Sequence, residues 1–506
     1  MVGLAVELQQ SPQARRAARV EDSARRVEHV GGQRAAPPFR HENQIVSERK
    51  NTVGGAVESL RRHRRTIMLF RMVEARSISY RLYPGKRQRR LLETKHGLLK
   101  DLWNAALAER VDAWRKCGVR IRLSDQEKAL KEIRPAIAGW RGLVHTHEAQ
   151  TVLKRLDRAF DGFFRRLKAG QAPGFPRFKS ADRFPGWGYK EHGNGFRFTF
   201  DPPKDGEREA QRLGHGRVTL AGVGTMRARG RARACHWGRV LKADVLRDAF
   251  GWRLNLVVEA DARRGEATGP AVGLDWGVAC FAALAAEDGS FQRIDNPRLL
   301  AAEGDEIRAA QRALSTLSRA RRISKAALKR RRKALARRHA RVAARRKDFL
   351  HQTTTALARR HSAFFVEDLQ IRNMTATARG TVDEPGSRVA QKAGLNRAIL
   401  DTAPATFFNL LRTKAAEAGS EFLQANLRRL KPSQRCPRCD AVAAKDLSVR
   451  RHDCACGCSM DRDEASALVL LRWGLAERAR RAEASLGPAD SHPAGSAGVG
   501  TRACAA

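Results

Sequence analysis

The sequence predicts a multidomain protein of the α+β class, and three observations support this prediction. The chain has 506 residues, enough for two to four domains. Hydrophobic residues make up 42% of it, which is sufficient to fill real cores. Strand-like and helical hydrophobic patterns alternate in separate blocks along the chain, as is typical of proteins that mix sheets and helices in distinct domains.

The charge balance identifies the kind of partner to expect. Lys and Arg number 98 against 53 Asp and Glu, a net charge of +45. A compact protein with this surplus needs a polyanion to neutralise it, and nucleic acid is the obvious one. No apolar run approaches the ~20 residues of a membrane helix, and the N-terminus does not resemble a signal peptide. We therefore expect a soluble cytoplasmic protein, associated with the nucleoid when bound to DNA, with no membrane partner and no small-molecule substrate.

The first block contains little that could fold. Residues 1–71 show no sustained apolar period, and we predict a disordered N-terminal extension there. Structure-like patterning begins only after Met68, which indicates that residues 1–67 are not part of the natural product. The first convincing element is a strand from Ser77 to Leu82, closed by a Pro-Gly turn.

Two helices and a group of short strands follow. Apolar residues recur at helical spacing between Leu91 and Leu107 and again between Val152 and Leu167, and we expect both stripes to pack into a core. The interleaved Lys and Arg would face a phosphate backbone or, alternatively, only solvent. Short alternating segments between Phe196 and Val258 predict a small antiparallel barrel.

The third block places acids at the ends of two apolar strands. One strand runs into Asp275 and is followed by a hairpin turn and a returning strand. A second strand, Ala363 to Val366, runs into Glu367. Between them, residues 304–357 predict a basic helical hairpin that lies along nucleic acid. Open α/β sheets place their functional sites at the carboxyl ends of strands, which makes both acids candidates.

A cysteine cluster predicts a zinc ribbon. Cys436 and Cys439 have the spacing that lets two thiolates from one turn reach one tetrahedral ion, and further cysteines lie far enough away for a hairpin to return. The alternative is a set of reduced cysteines in a loop. The second half is irregular: Cys456 is favoured as a ligand, with Cys454 or Cys458 completing the site. Zn2+ would be structural here.

The ribbon runs directly into Asp461 and Asp463 at the head of a helix, which we predict to end near Gly474. These acids could simply cap the helix. Asp275, Glu367 and Asp463 are also weak signals when each is taken alone, because such acids often cap an element or pair with Arg. Together, three carboxylates among so many cations indicate a site for two Mg2+ ions, which can hydrolyse a phosphodiester.

The order of motifs closely resembles that of the TnpB family, the transposon-encoded RNA-guided nucleases related to type V CRISPR effectors. The resemblance covers residues 76–478. The motifs that carry it are Tyr80-Arg-Leu-Tyr-Pro84, Leu102-Trp-Asn104, Gly174-Phe-Pro-Arg-Phe178, Val-Gly-Leu-Asp275-Trp-Gly, Arg338-His-Ala-Arg-Val, Arg346-Lys-Asp-Phe-Leu-His351, Val366-Glu367-Asp-Leu, Asn373-Met374, Lys392-Ala-Gly-Leu-Asn-Arg397, Pro432-Ser-Gln-Arg-Cys436 and Asp461-Arg-Asp463.

The resemblance implies a β-barrel wedge domain with an inserted helical recognition domain, and a RuvC-like nuclease domain of the RNase H fold with an inserted zinc ribbon. It implies that Asp275, Glu367 and Asp463 are the catalytic acids, with Asp463 preferred over Asp461. The implied boundaries are 72–88 and 173–266 for the wedge domain, 89–172 for the recognition domain, 267–430 and 461–478 for the nuclease domain, 431–460 for the ribbon and 479–506 for a disordered tail.

Two function classes stay open at this point. The first is an RNA-guided, Mg2+-dependent DNA endonuclease that binds a guide RNA and a target DNA. The second is a nucleic-acid-binding accessory protein that assists or regulates transposition without cutting. The presence of all three acids favours the first.

Overall fold

The computed structural model describes residues 73–137, 139–201, 214–230, 238–261, 265–319, 324–381, 383–446 and 448–486. The chain divides into two compact units, the first ending at Asp261 and the second beginning at Ala262. Both mix helices and strands, so the prediction of a multidomain α+β protein is confirmed. The predicted N-terminal extension lies outside the described residues. Among the helices described, none is long and apolar enough to cross a membrane.

The first unit is built on an antiparallel sheet of seven strands in the order β2-β6-β7-β1-β5-β4-β3. The strand predicted at Ser77 to Leu82 forms the centre of β1, which pairs with β7 on one side and β5 on the other. Closure of this sheet into a barrel stays a prediction. The strands are β1 Val73–Tyr83, β2 Gly186–Tyr189, β3 Phe196–Phe200, β4 Gly216–Leu220, β5 Gly224–Arg229, β6 Val240–Asp248 and β7 Gly251–Asp261.

Three helices of this unit, α1 Lys86–Cys117, α2 Leu123–Ala136 and α3 Thr146–Lys168, lie between β1 and β2 in the chain. The apolar stripe of α1 is buried at Leu92, Leu99 and Leu107, as predicted. The stripe of α3 is buried at its start but not at its end, where Leu167 is 54% exposed. The prediction of core packing is therefore wrong for the last two turns of α3, which extend beyond the sheet-backed core.

The second unit contains a mixed sheet of five strands in the order β10-β9-β8-β11-β12. Strands β8, β9 and β10 pair antiparallel, whereas β8, β11 and β12 are parallel. The predicted strands that run into Asp275 and Glu367 are confirmed as β8 and β11. The strands are β8 Ala271–Trp276, β9 Cys280–Ala286, β10 Phe291–Asp295, β11 Ala363–Glu367 and β12 Glu421–Ala425, and a small ribbon pairs β13 Arg451–Asp453 with β14 Ser459–Asp461.

Helices cover both faces of this sheet. Apolar residues of α6 and α9 pack with Val272 and Phe364 on one face, and Ala467 and Leu471 of α11 pack with Phe365 on the other. The predicted helical hairpin is confirmed as α5 and α6. The helices of the unit are α4 Leu299–Ala302, α5 Gly304–Arg319, α6 Lys325–Arg360, α7 Ile371–Met374, α8 Val389–Thr402, α9 Pro404–Ala418, α10 Leu427–Leu430 and α11 Arg462–Leu486.

The predicted end of the last helix near Gly474 is wrong, because α11 continues to Leu486. A Cβ at Gly474 would lie 1.9 Å from Cγ of Phe365. The glycine therefore permits close packing of the helix on β11 and does not terminate it. Residues 479–486, predicted as the start of a disordered tail, are helical, and the rest of that tail lies outside the described residues.

Candidate active site and metal centre

Asp275 and Glu367 lie at equivalent positions on adjacent parallel strands. The ladder between β8 and β11 runs as far as the pair of Leu274 with Val366, and the two acids are the next residues on each strand. Neighbouring strands are about 4.8 Å apart, and residues at matching positions share a face of the sheet. The fold therefore brings two carboxylates together at one edge of a sheet, in a chain that is strongly cationic as a whole.

Asp463 reaches this edge from a distant part of the chain. It lies in the first turn of α11, which packs on β8 so closely that a Cβ at Gly273 would lie 2.1 Å from the carbonyl oxygen of Ala467. Ser466 Oγ donates a 2.8 Å hydrogen bond to Asp275 Oδ1. The start of α11 is thus fixed against the first acid by a backbone contact and a side-chain hydrogen bond.

The three carboxylates share one electrostatic environment. Burial raises the pKa of Asp275 well above its usual range, and the charges of Glu367 and Asp463 raise it further, against the opposing effects of Ser466 and Arg462. Burial also raises the pKa of Glu367, which is 8% exposed, to about 7. Within the described part of the chain, the oxygens of the three acids do not all lie within 4.8 Å of one another.

Asp461 has a different set of contacts. Its Oδ1 accepts the backbone N–H of Asp463 at 2.8 Å, and its Oδ2 forms a 2.9 Å ion pair with Arg293. Partial burial would raise the pKa of Asp461, but Arg293 and the N–H of Asp463 lower it. The capping alternative considered for this pair of acids therefore describes Asp461, which accepts hydrogen bonds at the helix start.

A cavity of about 140 Å3 lies beside Glu367. Its lining includes Arg412 of α9, whose guanidinium donates to Gln424 and lies over the ring of Phe422 at 5.2 Å. No sequence pattern pointed to Arg412. One arginine among 98 basic residues has no distinguishing local signal, and only the tertiary packing of α9 brings it to this place.

Four cysteines converge as the ribbon prediction requires. Sγ of Cys436 lies 3.6 Å from Sγ of Cys456, and Sγ of Cys439 lies 3.5 Å from Sγ of Cys454. All four sulfur atoms lie within 4.8 Å of one another. Thiolates at the usual Zn–S distance of about 2.3 Å in a tetrahedron are roughly 3.8 Å apart, so this donor set fits zinc in type and spacing.

Cys458 belongs to a second group, with Cys436 and His452, whose ligand atoms are also mutually within 4.8 Å. His452, which is buried in β13, has no counterpart among the ligands predicted from sequence. For Cys436, burial alone would raise the thiol pKa, but hydrogen bonds from the N–H groups of Cys439 and Arg438 bring it down to about 5. A thiolate is the form that binds metal.

The cysteine cluster is connected to the helix that carries the third acid. Strand β14 ends at Asp461 and α11 begins at the next residue. Nη1 of Arg462 donates to the carbonyl oxygens of Asp446 at 2.8 Å and Val449 at 3.0 Å, and Arg472 donates to Pro437. The position of Asp463 therefore depends on the ordering of the ribbon.

Comparison with family models gives three matches along the chain. Residues 255–378 match the OrfB_IS605 family, described as "Probable transposase". Residues 405–470 match the "Cas12f1-like, TNB domain". Residues 72–118 match a "Helix-turn-helix domain". In this structure the described part of that last segment forms strand β1 and the single long helix α1.

Curated relatives are similar over most of the chain. A "Putative RNA-guided DNA endonuclease" of Streptomyces pristinaespiralis is 28% identical over 414 residues, covering 80% of this chain and 90% of the relative. The "Putative RNA-guided DNA endonuclease InsQ" of Escherichia coli K12 is 29% identical over 393 residues, covering 76% and 88%. A third relative, from Mycobacterium tuberculosis, is 30% identical over 334 residues and is covered to 63%.

Among solved structures, the Cas12f1 chain of a Cas12f1–sgRNA–target DNA complex aligns with a TM-score of 0.44 and 13% identity, over 79% of this chain and 98% of that one. A mini RNA-guided endonuclease, CRISPR-Cas phi3, aligns with a TM-score of 0.41 and 8% identity, over 82% and 94%.

Proposed function

We infer that this chain, a TnpB-like protein related to the OrfB_IS605 group, is an RNA-guided DNA endonuclease that binds a guide RNA and a target DNA. The observation that carries the proposal is the placement of Asp275 and Glu367 side by side on parallel strands, with Asp463 at the start of the helix packed on them. Three carboxylates in a chain of net charge +45 repel a phosphate unless cations are bound between them.

The proposed metal ligands at this edge are Asp275, Glu367 and Asp463, whose hard carboxylate oxygens suit Mg2+. The chemistry that two such ions would supply when bound is activation of a water and stabilisation of the leaving oxygen of a phosphodiester. The chain's own contribution is to hold the acids in place: Ser466 fixes one oxygen of Asp275, and the glycine at 273 lets α11 approach. Burial makes the ionised carboxylates costly, and bound cations would offset that cost.

We propose that the second unit is a RuvC-like nuclease domain of the RNase H fold. Support comes from its order of three antiparallel strands followed by two parallel ones, with acids at the ends of β8 and β11. The ribbon at 431–460 would be a structural zinc site inserted before the last helix. In the first unit, the wedge domain at 72–88 and 173–266 and the recognition domain at 89–172 are proposed with the same boundaries.

The nucleic acid would be held mainly by charge. Helix α6 alone presents five consecutive exposed cations, Lys329 to Lys333. Such contacts follow the phosphate backbone and carry no sequence information, so base pairing with the guide would select the target. Binding of this kind weakens steeply with salt because counterions are released.

The decisive experiment begins with the RNA that copurifies with the full chain. Once it is sequenced, its variable end can be replaced to match a chosen DNA. We expect cleavage of the matched DNA in Mg2+ and no cleavage of a scrambled DNA or in EDTA, with about one zinc per chain by elemental analysis. RNA binding without programmed cleavage would instead establish the accessory role in transposition.

A further inference from the structure

The last turns of α3 and the segment after it carry a partly exposed aromatic cluster that the proposed function does not use. The rings of Phe160, Phe163, Phe164 and Phe175 form an unbroken series of contacts with centroid distances from 5.2 to 6.4 Å. Phe164 is 42% exposed and Phe175 is 48% exposed. We call these four rings the aromatic platform.

Further exposed apolar side chains lie close to the aromatic platform in the chain or in the neighbouring end of α1. Of the thirteen large hydrophobic side chains exposed in the described residues, six lie at the end of α1 or just after it, at the end of α3, or in the segment after α3. These six are Trp114, Val119, Phe164, Leu167, Phe175 and Phe178. Exposed apolar side chains concentrated in this way mark an interaction site or an aggregation hazard.

The platform is held in place on one side and exposed on the other. Phe160 packs partly against the core of the first unit, with the guanidinium of Arg110 over its ring at 5.2 Å. The segment that carries Phe175 is tied to α3 by a 3.2 Å hydrogen bond from Arg166 to the carbonyl oxygen of Gly174. The platform is thus a built surface, positioned by packing and hydrogen bonding.

Charge identifies what the platform can bind. Residues 112–120 and 161–179 contain eight Lys and Arg against two Asp. The guanidinium of Arg120 lies 5.8 Å from the ring centre of Phe164. Aromatic faces surrounded by cations suit unpaired bases, whose rings stack on the aromatic faces while the cations contact the phosphates. An acidic protein partner would use the cations, but its carboxylates have no favourable contact with the electron-rich ring faces.

We propose that the aromatic platform stacks unpaired bases of the guide RNA, an inference that rests on the proposed RNA-guided function. The RNA is favoured over the target DNA because a resident ligand would cover these exposed rings at all times, whereas a target is bound only transiently. Base-paired segments would not engage the platform, because their ring faces are already stacked within the duplex.

The test compares side chains that differ in stacking but not in apolar character. In the double variant Phe164→Leu/Phe175→Leu, the full chain should bind the copurifying RNA about tenfold more weakly, the loss typical of removing base stacking. The corresponding Trp variants should bind at least as tightly as wild type. The controls are Phe250→Leu and Phe291→Leu, at rings that are 43% and 44% exposed in other places, and these should leave the affinity unchanged.

Three probes of equal length, a single-stranded RNA, an RNA duplex and a single-stranded DNA, test whether the platform binds unpaired RNA bases. The loss should appear with single-stranded RNA and be absent with an RNA duplex. The inference is overturned if the double variant binds the copurifying RNA as wild type does, if the duplex loses as much affinity, or if only single-stranded DNA is affected. It is also overturned if the RNA-free chain forms a dimer that the double variant abolishes, since a second copy would then be the occupant.

Because the readout is RNA affinity, it separates this inference from the endonuclease proposal. If the wild-type chain cuts a programmed target and the double variant retains full RNA affinity, the platform inference is wrong and the endonuclease proposal stands. If the wild-type chain cuts no target but its RNA affinity falls in the double variant, the endonuclease proposal is wrong and the platform inference stands.

Discussion

The two units each contain a cluster of buried or half-buried ionisable groups, and the clusters differ in charge balance. In the first unit, Lys95 and Glu148 form a 2.7 Å ion pair with neither side chain exposed, and Glu148 also accepts from Tyr189 and from the N–H of His145. In the second unit, Asp275 and Glu367 are both acids. The first cluster is neutral and supplied with hydrogen bonds, whereas the second has an excess of negative charge.

We propose that this difference separates a structural cluster from a metal-binding one. Lys95 also donates to the carbonyl oxygen of Ala221 at 2.6 Å, so the pair joins α1, α3 and the loop after β4. A buried group that already has its counter-charge gains little by binding an ion from solution. Neighbouring carboxylates with raised pKa values are stabilised in their ionised form when they bind cations. The same electrostatic argument thus supports opposite proposals for the two clusters.

The largest expected effect is that of removing an acid from the second cluster. Replacing Asp275 with Ala removes a proposed metal ligand that water cannot replace at the same geometry, so cleavage of matched DNA should fall by about three orders of magnitude or more. RNA affinity should stay within about twofold, because the many Lys and Arg contacts supply it. Single-turnover cleavage and RNA titration measure the two quantities.

The matched control for Asp275 is Asp295→Ala, an exposed acid at the end of β10 in the same sheet. It should cut as wild type does. Equal cleavage by wild type and Asp275→Ala would contradict the proposed carboxylate mechanism and favour the accessory role.

The next largest effect is expected when the ion pair of the first cluster is removed. Glu148→Gln leaves the Lys95 ammonium buried without its counter-charge, which should lower the free energy of unfolding by about 3–5 kcal/mol. Adding Lys95→Met should recover part of that loss, since no unpaired charge then remains. Urea unfolding monitored by tryptophan fluorescence provides the comparison. A double variant less stable than Glu148→Gln alone would show that the lysine stabilises the fold mainly through its other contacts and not through the ion pair.

Sequence patterns predicted one of these clusters and missed the other. The strands that end in Asp275 and Glu367 are apolar runs visible in the sequence itself, and the mixed sheet confirms both strands. Lys95 and Glu148 lie in helices rich in charge, and nothing local distinguishes a buried lysine from its exposed neighbours. Arg412 has no local signal for the same reason. Burial of a polar side chain depends on contacts between distant segments, and local periodicity cannot report those.

The position of the cysteine cluster could also be predicted only in part. The spacing of Cys436 and Cys439 is a local property of one turn, and the sequence displays it directly. The choice among the later cysteines depends on how the β13–β14 hairpin folds back, and the residues alone left that choice open. The structure brings Cys454 and Cys456 to the first pair and groups Cys458 with His452.

A smaller effect is expected on the pH dependence of stability, to which the acids of the second cluster contribute. The pKa of Glu367 is raised from 4.5 to about 7 in the folded chain. Between these values the unfolded chain has released a proton that the folded chain retains, so in metal-free buffer stability falls as pH rises through this window. Glu367→Gln removes the contribution of Glu367 to this dependence, and at pH 8 it should be more stable than wild type by about 3 kcal/mol.

Urea unfolding of wild type and Glu367→Gln at pH 4 and pH 8 tests this expectation. The two proteins should differ little at pH 4, where the glutamate is largely protonated in both states. Added Mg2+ should narrow the gap at pH 8 by binding the wild-type carboxylates. A gap of equal size at both pH values would show that the substitution acts through packing and not through ionisation.

The smallest effect separates the two acids at the head of α11. Asp461 accepts the N–H of Asp463 and pairs with Arg293, so Asp461→Ala should cost about 1 kcal/mol of stability, as expected for a helix cap. Its ion pair is partly exposed and adds little to that figure. Cleavage by Asp461→Ala should remain far above that by Asp463→Ala, because only Asp463 is proposed to hold metal. If Asp461→Ala abolished cleavage while Asp463→Ala still cut, the third acid would be Asp461, and a residue with two structural partners would be the ligand.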